Sequence, residues 1–305
     1  MAEQISGKFP VVIGREFTPH LASTIFNLLD KQELTKSRSV STTWKDVVDS
    51  RTNLWTDPKL YMKAVTEGNL DICKIIIQKV DNKNPLIKRF GQSLDQQSPL
   101  HIAAQEGHVE ICRLIISHVE DKNPKNDEGN TPLLSAATSN KPGSAEVYRL
   151  IMDEVDDKNP KNKWGYTPLH GAALYGNFEV SKLIVENVDE KDPATLDDGS
   201  TPLHMAATYG YKDIFRLIFE KVDDKNPPDK HGDTPLHLAA AGDDGLDERV
   251  SRQPYVEICR LILDNVDNKY PVNSHGETPL DRARKERIGE LEELEQLWLQ
   301  YEEDQ

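Results

Sequence analysis

The sequence predicts an all-α protein built as a solenoid of stacked helix pairs. The tetrapeptide Thr-Pro-Leu-His, or a close variant, recurs about every 33 to 36 residues, with a longer last interval. The copies begin at Ser98, Thr131, Thr167, Thr201, Thr234 and Thr278. A period of this length is typical of two-helix units that cannot bury their apolar faces alone and therefore stack. Such an array presents a long surface to its partners instead of a closed reaction pocket.

Each element of one unit follows from its residues. In the unit that starts near Asp127, Gly129 favours a turn, and Thr131 and Pro132 suit the N-cap and first position of a helix. Small apolar residues then allow a second helix to approach closely. That second helix has apolar residues at helical spacing: Val147, Leu150, Ile151 and Val155. Asn159-Pro160 favours an extended backbone and begins the next turn.

These features resemble the ankyrin repeat, over roughly residues 59–300. The resemblance rests on the Thr-Pro-Leu-His copies, on alanine pairs and on turn glycines; the pairs lie at 103–104, 136–137, 172–173, 206–207 and 239–240, and the glycines at 129, 165, 199, 232 and 276. It implies about six to seven units with β-hairpin-like fingers. It also implies that the repeat histidines bond to backbone between units and hold no metal. The chain departs from the family where the second helix ends, because valine stands in place of the usual glycine.

The domain boundaries follow from the period and its interruptions. We predict an N-terminal extension over 1–16, a short three-helix domain over 17–56, and a degenerate capping repeat over 59–97. Five repeats are expected at 98–130, 131–166, 167–200, 201–233 and 234–277. The segment 278–305 is predicted to be a C-terminal helical cap. A polar insertion near 242–254 is expected to be a surface loop, with a second contact site as the alternative.

Composition excludes several classes of function. The net charge is −15, and all of it falls on residues 59–305 because the preceding residues balance. So acidic a surface disfavours nucleic acid and anionic membranes as partners. No apolar run approaches a bilayer span, and the N-terminus shows no signal-peptide core, so a cytoplasmic or nuclear location is expected. Cys73, Cys112 and Cys259 recur at equivalent positions and are predicted to be reduced core thiols.

The N-terminal helices are too small for a sufficient core of their own, so a partner protein is the physical expectation. The pattern from Pro19 to the closing Leu54-Trp55 resembles an F-box, with Thr18 and Ser41 departing from the usual residues. The resemblance implies docking on the Skp adaptor of a cullin-based ubiquitin ligase. The residues carried over as adaptor-binding are Pro19, Leu21, Ile25, Phe26, Leu29, Leu34, Val40 and Trp44. The alternative is a plain helical cap on the array.

Aromatic residues mark the middle of the array. In ankyrin-like arrays the finger tips and the ends of the first helices face the partner, and here only two adjacent units carry aromatic residues there. The predicted target-binding residues are Trp164, Tyr166, Leu174, Tyr175 and Tyr209. Exposed Trp and Tyr are frequent interface hot spots. Acidic neighbours favour a partner with Lys or Arg at its rim. The alternative is that these rings pack on one another and add only stability.

Two functions therefore compete. The first is the substrate-recognition subunit of a Skp–cullin–F-box ubiquitin ligase, with the array binding a target protein. The second is a non-catalytic ankyrin scaffold without an adaptor. Neither is an enzyme: the chain has no phosphate-binding glycine loop, no zinc-ligand spacing and no serine elbow. No cofactor is expected.

Overall fold

The computed structural model describes residues 57–88, 96–242, 253–285 and 291–303. The predicted N-terminal extension and the F-box-like segment 17–56, with all of its adaptor-binding residues, lie outside the described residues. Most of the insertion near 242–254 does too.

The described residues form consecutive pairs of antiparallel helices and one short strand pair. The first pair is α1 (Pro58–Thr66) with α2 (Leu70–Lys79), followed by strands β1 (Ile87–Lys88) and β2 (Gln96–Gln97). The next pairs are α3 (Pro99–Gln105) with α4 (Val109–Ile116), α5 (Pro132–Ala137) with α6 (Ser144–Met152), α7 (Pro168–Leu174) with α8 (Phe178–Asn187), and α9 (Pro202–Thr208) with α10 (Lys212–Phe219). The last are α11 (Pro235–Ala241) with α12 (Gln253–Leu263), and α13 (Pro279–Lys285) with α14 (Leu291–Glu303).

The core runs the length of the stack. The paired alanines of α3, α5, α7, α9 and α11 are buried, as the need for close helix approach predicts. The three cysteines are free, buried thiols, which agrees with the sequence prediction. At the C-terminal end, Leu294, Leu297 and Trp298 of α14 are buried against the preceding unit, so α14 caps the array. In the parts of the chain that the structure covers, no helix has the length and apolarity needed to cross a bilayer.

The repeat histidines form hydrogen bonds that join the start of a first helix to the backbone of the next unit. The backbone N–H of Thr167 donates to Nδ1 of His170 at 3.1 Å, so this nitrogen is the acceptor. The other ring nitrogen, Nε2, then carries the proton and donates to the carbonyl of Ser200 in the next finger, at 3.2 Å. His101, His204 and His237 make the same bond to Asn130, Asp233 and Glu277, each at 3.1 Å. The predicted backbone role of these histidines is therefore confirmed.

Lysine side chains bond to backbone carbonyls where most of the second helices end, three residues after the valine that stands in place of glycine. Val119 is followed three residues later by Lys122, whose Nζ donates to the carbonyl of Ile116 at 2.6 Å and also to that of Val119. Lys269 does the same to Leu263 and Val266 at 2.8 and 3.0 Å, and Lys191 bonds to Val188 at 2.5 Å. These ammonium groups satisfy carbonyls that have no intrahelical partner and oppose the negative end of the helix dipole. The departure from the ankyrin pattern thus has a capping function.

The residue after that lysine fixes the start of the next helix. Asn123 Oδ1 accepts from the backbone N–H of Leu133 at 3.0 Å, and Asn159 and Asn226 make the same bond to Leu169 and Leu236. In one unit an aspartate, Asp192, holds this place and accepts from Leu203 N–H at 2.9 Å. Burial raises the pKa of Asp192 to about 7, hydrogen bonds from Leu203 and Thr201 partly oppose this rise, and the nearby Asp224 adds to it.

Acid should weaken the array through its histidines. Burial lowers the pKa of His170 from 6.5 to about 4, so the unfolded chain takes up its proton first as the pH falls. The histidine contribution to the free energy of unfolding is therefore present above pH 6.5 and lost between 6.5 and 4. We expect His170→Gln to flatten the decrease of stability over this window while costing about 1–3 kcal/mol at pH 7. Urea unfolding from pH 4 to 8 measures both, and an unchanged pH slope would contradict the assignment.

The pH dependence of stability that Asp192 contributes should have the opposite direction. Asp192 ionises near pH 3.8 in the unfolded chain but near 7 in the folded one, so its contribution to stability is lost as the pH rises through this interval. Asp192→Asn keeps the acceptor oxygen without the charge. We expect this variant to be more stable than the wild type by about 1–3 kcal/mol at pH 8, with the difference vanishing near pH 4. The matched control Asn226→Asp should introduce the same loss of stability at pH 8.

Candidate protein-binding surface

The fingers form a hydrogen-bonded row along the array. In the finger that carries Trp164, Asn162 N–H donates to the carbonyl of Tyr166 at 3.0 Å, and Gly165 has a φ of 76° that a turn of this kind requires. The backbone of Lys163 donates to Glu128 of the preceding finger. Leu196 N–H donates in turn to the carbonyl of Trp164 at 2.7 Å. Each finger is thus positioned by its neighbours.

The structure places the predicted target-binding residues at different depths. Trp164 on the finger, and Tyr175 and Tyr209 at the C-caps of α7 and α9, are exposed at 40%, 53% and 40%. Tyr166 and Leu174 are half-buried. Three rings therefore face solvent, whereas Tyr166 packs against the array.

Tyr166 lies between the finger and the helix ends. Its ring stacks on the buried His170, with 5.0 Å between the ring centroids. Burial raises the pKa of the Tyr166 phenol, and the neighbouring phenols of Tyr175 and Tyr209 raise it further. The Tyr166 hydroxyl is buried and has no hydrogen-bond partner among the described residues. Such an oxygen is an unusual feature for a purely structural ring.

The sequence interpretation missed Leu196. At 64% it is the most exposed of the large apolar side chains that the structure describes. It sits at the tip of the next finger, where a Cβ placed on Gly165 would lie 3.1 Å from its Cγ, so it directly adjoins the Trp164 finger. The length of this finger is the signal that could have revealed Leu196. Its turn closes with a hydrogen bond from Thr195 N–H to the carbonyl of Ser200, so it is one residue longer than the Asn162–Tyr166 turn.

Charged groups surround these apolar tips. Asp197 and Asp127 are exposed carboxylates on neighbouring fingers. Although partial burial raises it, hydrogen bonds from Thr195 and Ser200 hold the pKa of Asp198 at about 2, so that side chain stays ionised. Lys163 is exposed, and the Lys230 ammonium donates to the carbonyl of Leu196. The described ranges contain no group of His, Cys, Asp and Glu side chains that could hold a metal ion.

Comparison with known proteins identifies the family. The family model of ankyrin repeats in three copies matches residues 61–162, 141–229 and 169–248, and the model of a single ankyrin repeat matches 231–272. Together these matches cover well over half of the chain, and the protein belongs to the ankyrin-repeat family. The matched residues begin at 61, so no family match accompanies the F-box-like pattern of 17–56. No curated protein matches the chain significantly.

The unpartnered Tyr166 hydroxyl allows a matched test. Removing it by Tyr166→Phe should change the free energy of unfolding by less than about 0.5 kcal/mol, because no described hydrogen bond is lost. Tyr148→Phe is the control, since the Tyr148 hydroxyl donates to the carbonyl of Lys158 at 2.5 Å. That variant should lose about 1 kcal/mol in urea unfolding. An equal loss in both variants would show that the Tyr166 hydroxyl has a structural partner.

Proposed function

We propose that this ankyrin-repeat protein is a non-catalytic recognition subunit whose array binds a target protein through the aromatic surface. The aromatic surface is the exposed set Trp164, Tyr175, Tyr209 and Leu196, with Tyr166 and Leu174 beneath it. The observation that carries the proposal is the exposure of three large rings at the finger and helix-end positions of two adjacent units. The fold does not require aromatic residues there.

Other units support this distinction. At the helix-end positions that correspond to Leu174 and Tyr175, the two preceding units carry Gln105 with Glu106 and Thr138 with Ser139. All of these units pair a first helix with a second one, and each first helix has Ser or Thr at its N-cap followed by Pro. The packing of one unit on the next therefore does not require aromatic residues at these places, and their rings are available to contact a partner.

The size of the surface is consistent with binding. A Trp or Tyr side chain can bury about 150–250 Å². At the observed exposures of the three rings and Leu196, the solvent-facing apolar area is about 300–400 Å², comparable to the largest patch on a typical monomer, which is often functional. Aromatic anchors at the centre of an interface account for much of its binding energy.

We further propose that residues 17–56 dock the Skp adaptor of a cullin-based ubiquitin ligase, which would make the chain a substrate receptor. Support comes from the sequence pattern of Pro19, Leu21, Ile25 and Trp44, and from the small size of a segment that needs a partner to bury its apolar residues. In that role the protein performs no covalent step. It raises the effective concentration of target lysines near a ubiquitin-conjugating enzyme. The alternative is a scaffold that binds a target without an adaptor.

Two double variants should separate the two binding functions. We expect Trp164→Ala/Tyr175→Ala to lose target proteins in quantitative affinity purification while retaining a one-to-one complex with a purified Skp adaptor. Leu21→Ala/Trp44→Ala should lose the adaptor and keep the targets. Phe178→Ala serves as the control, because this ring is similarly exposed but lies beside Arg216 and Leu217 of α10, away from the fingers.

The outcomes distinguish the proposals. A folded, monodisperse wild-type chain that binds no adaptor would overturn the ligase role and leave the scaffold. Target recovery unaffected by Trp164→Ala/Tyr175→Ala would overturn the aromatic surface as the binding site.

A further inference from the structure

We propose that the aromatic surface recognises an extended segment of the target that presents a cationic side chain, best an arginine, between the Trp164 finger and the Tyr175 and Tyr209 helix ends. This inference rests on the proposed target-binding function and specifies the chemistry of the partner.

The surface is continuous from the finger tips to the helix ends. Leu196 adjoins the Trp164 finger through the backbone bond at 2.7 Å. Tyr166 follows in the same finger, and its ring stacks on His170 of α7, the helix whose C-cap is Tyr175. Tyr209 stacks with Tyr211 at 6.3 Å between ring centroids, which extends the aromatic area along the helix end. A bound segment can therefore contact aromatic rings in both units.

The electrostatics select a cation over an anion. The face of an aromatic ring carries negative potential and attracts guanidinium or ammonium groups. Exposed Asp197 and ionised Asp198 lie on the finger beside Trp164, and Asp127 and Glu128 lie on the finger before it. Two nearby lysines, Lys163 and Lys230, oppose these four carboxylates but are outnumbered by them. An acidic segment would meet carboxylates on both neighbouring fingers, which disfavours it.

The hydrogen-bonding groups favour arginine over lysine. A guanidinium is planar, stacks on rings and presents five N–H donors, whereas ammonium is a compact point charge. The acceptors at this surface are the Asp197 carboxylate and the phenol oxygens of the exposed Tyr175 and Tyr209. A stacked guanidinium can donate to such oxygens while its plane contacts a ring.

The extended form follows from the dimensions of the array. Neighbouring helix pairs lie about 8–10 Å apart. An extended chain rises about 3.3 Å per residue, so roughly six residues cross the two aromatic units. A segment of this length can place one cation among the rings and an apolar residue against Leu196.

The experiment selects a randomised ten-residue peptide library on the full-length wild-type protein and counter-selects on Trp164→Ala/Tyr175→Ala. We expect surface-dependent peptides to carry Arg or Lys. In the peptide that binds best, replacing the arginine by citrulline, which is neutral but nearly isosteric, should weaken binding about five- to thirty-fold. Replacement by lysine should weaken it less, and Asp197→Asn in the protein should weaken the parent peptide a few-fold.

Two results would overturn the inference. Surface-dependent peptides without a basic residue, or a citrulline analogue that binds as well as the parent, would exclude a cation and leave the target-binding function intact. Recovery of no peptide that depends on Trp164 and Tyr175 would overturn both. Urea unfolding of the counter-selection variant shows whether it is folded, and Phe178→Ala should select the same peptides as the wild type.

Discussion

The rest of this array depends on the two hydrogen bonds that a neutral imidazole makes where it is buried between two units. In His170 one ring nitrogen accepts from the backbone of Thr167 and the other donates to the carbonyl of Ser200, so a single side chain starts a helix and fixes the following finger. Because each finger is bonded to its neighbour, the position of Trp164 and Leu196 follows from these internal bonds. Buried polar groups with hydrogen-bond partners therefore position the aromatic surface where it meets the fingers.

Side-chain hydrogen bonds also hold the linkers, the segments between the second helix of one unit and the first helix of the next. Lysine side chains bond to the last carbonyls of the second helices, and asparagine side chains accept from the first turn of the next unit. In the linkers, polar side chains thus connect one unit to the next through residues that are close in sequence. Stability in such an array is approximately a sum of unit and interface terms. A change in one linker, such as the carboxylate of Asp192, is therefore confined mainly to one interface.

Most of the fold was predictable from sequence, because the period, the Thr-Pro caps and the buried alanines are local signals. The backbone role of the histidines was also predicted and is confirmed. The lysine caps were not, since a flexible four-carbon side chain does not reveal which carbonyl it reaches. In the candidate site, the exposure of Trp164 and Tyr175 followed from unit alignment. The packing of Tyr166 on His170 and the projection of Leu196 from a longer finger depend on tertiary geometry and were missed.

The lysine caps have a consequence for the reactivity of this surface. An amine attacks an acyl group through its neutral form, with a free lone pair. Lys122 and Lys269 each hold the side-chain nitrogen against two backbone carbonyls, and these contacts restrict its approach to an acyl group. The side chain of the exposed Lys163 makes no such contact with the described residues. Acetylation, ubiquitin attachment or amine-directed labelling would therefore proceed on the finger tips before it reached the linkers, and the structural lysines would be the last to lose their charge.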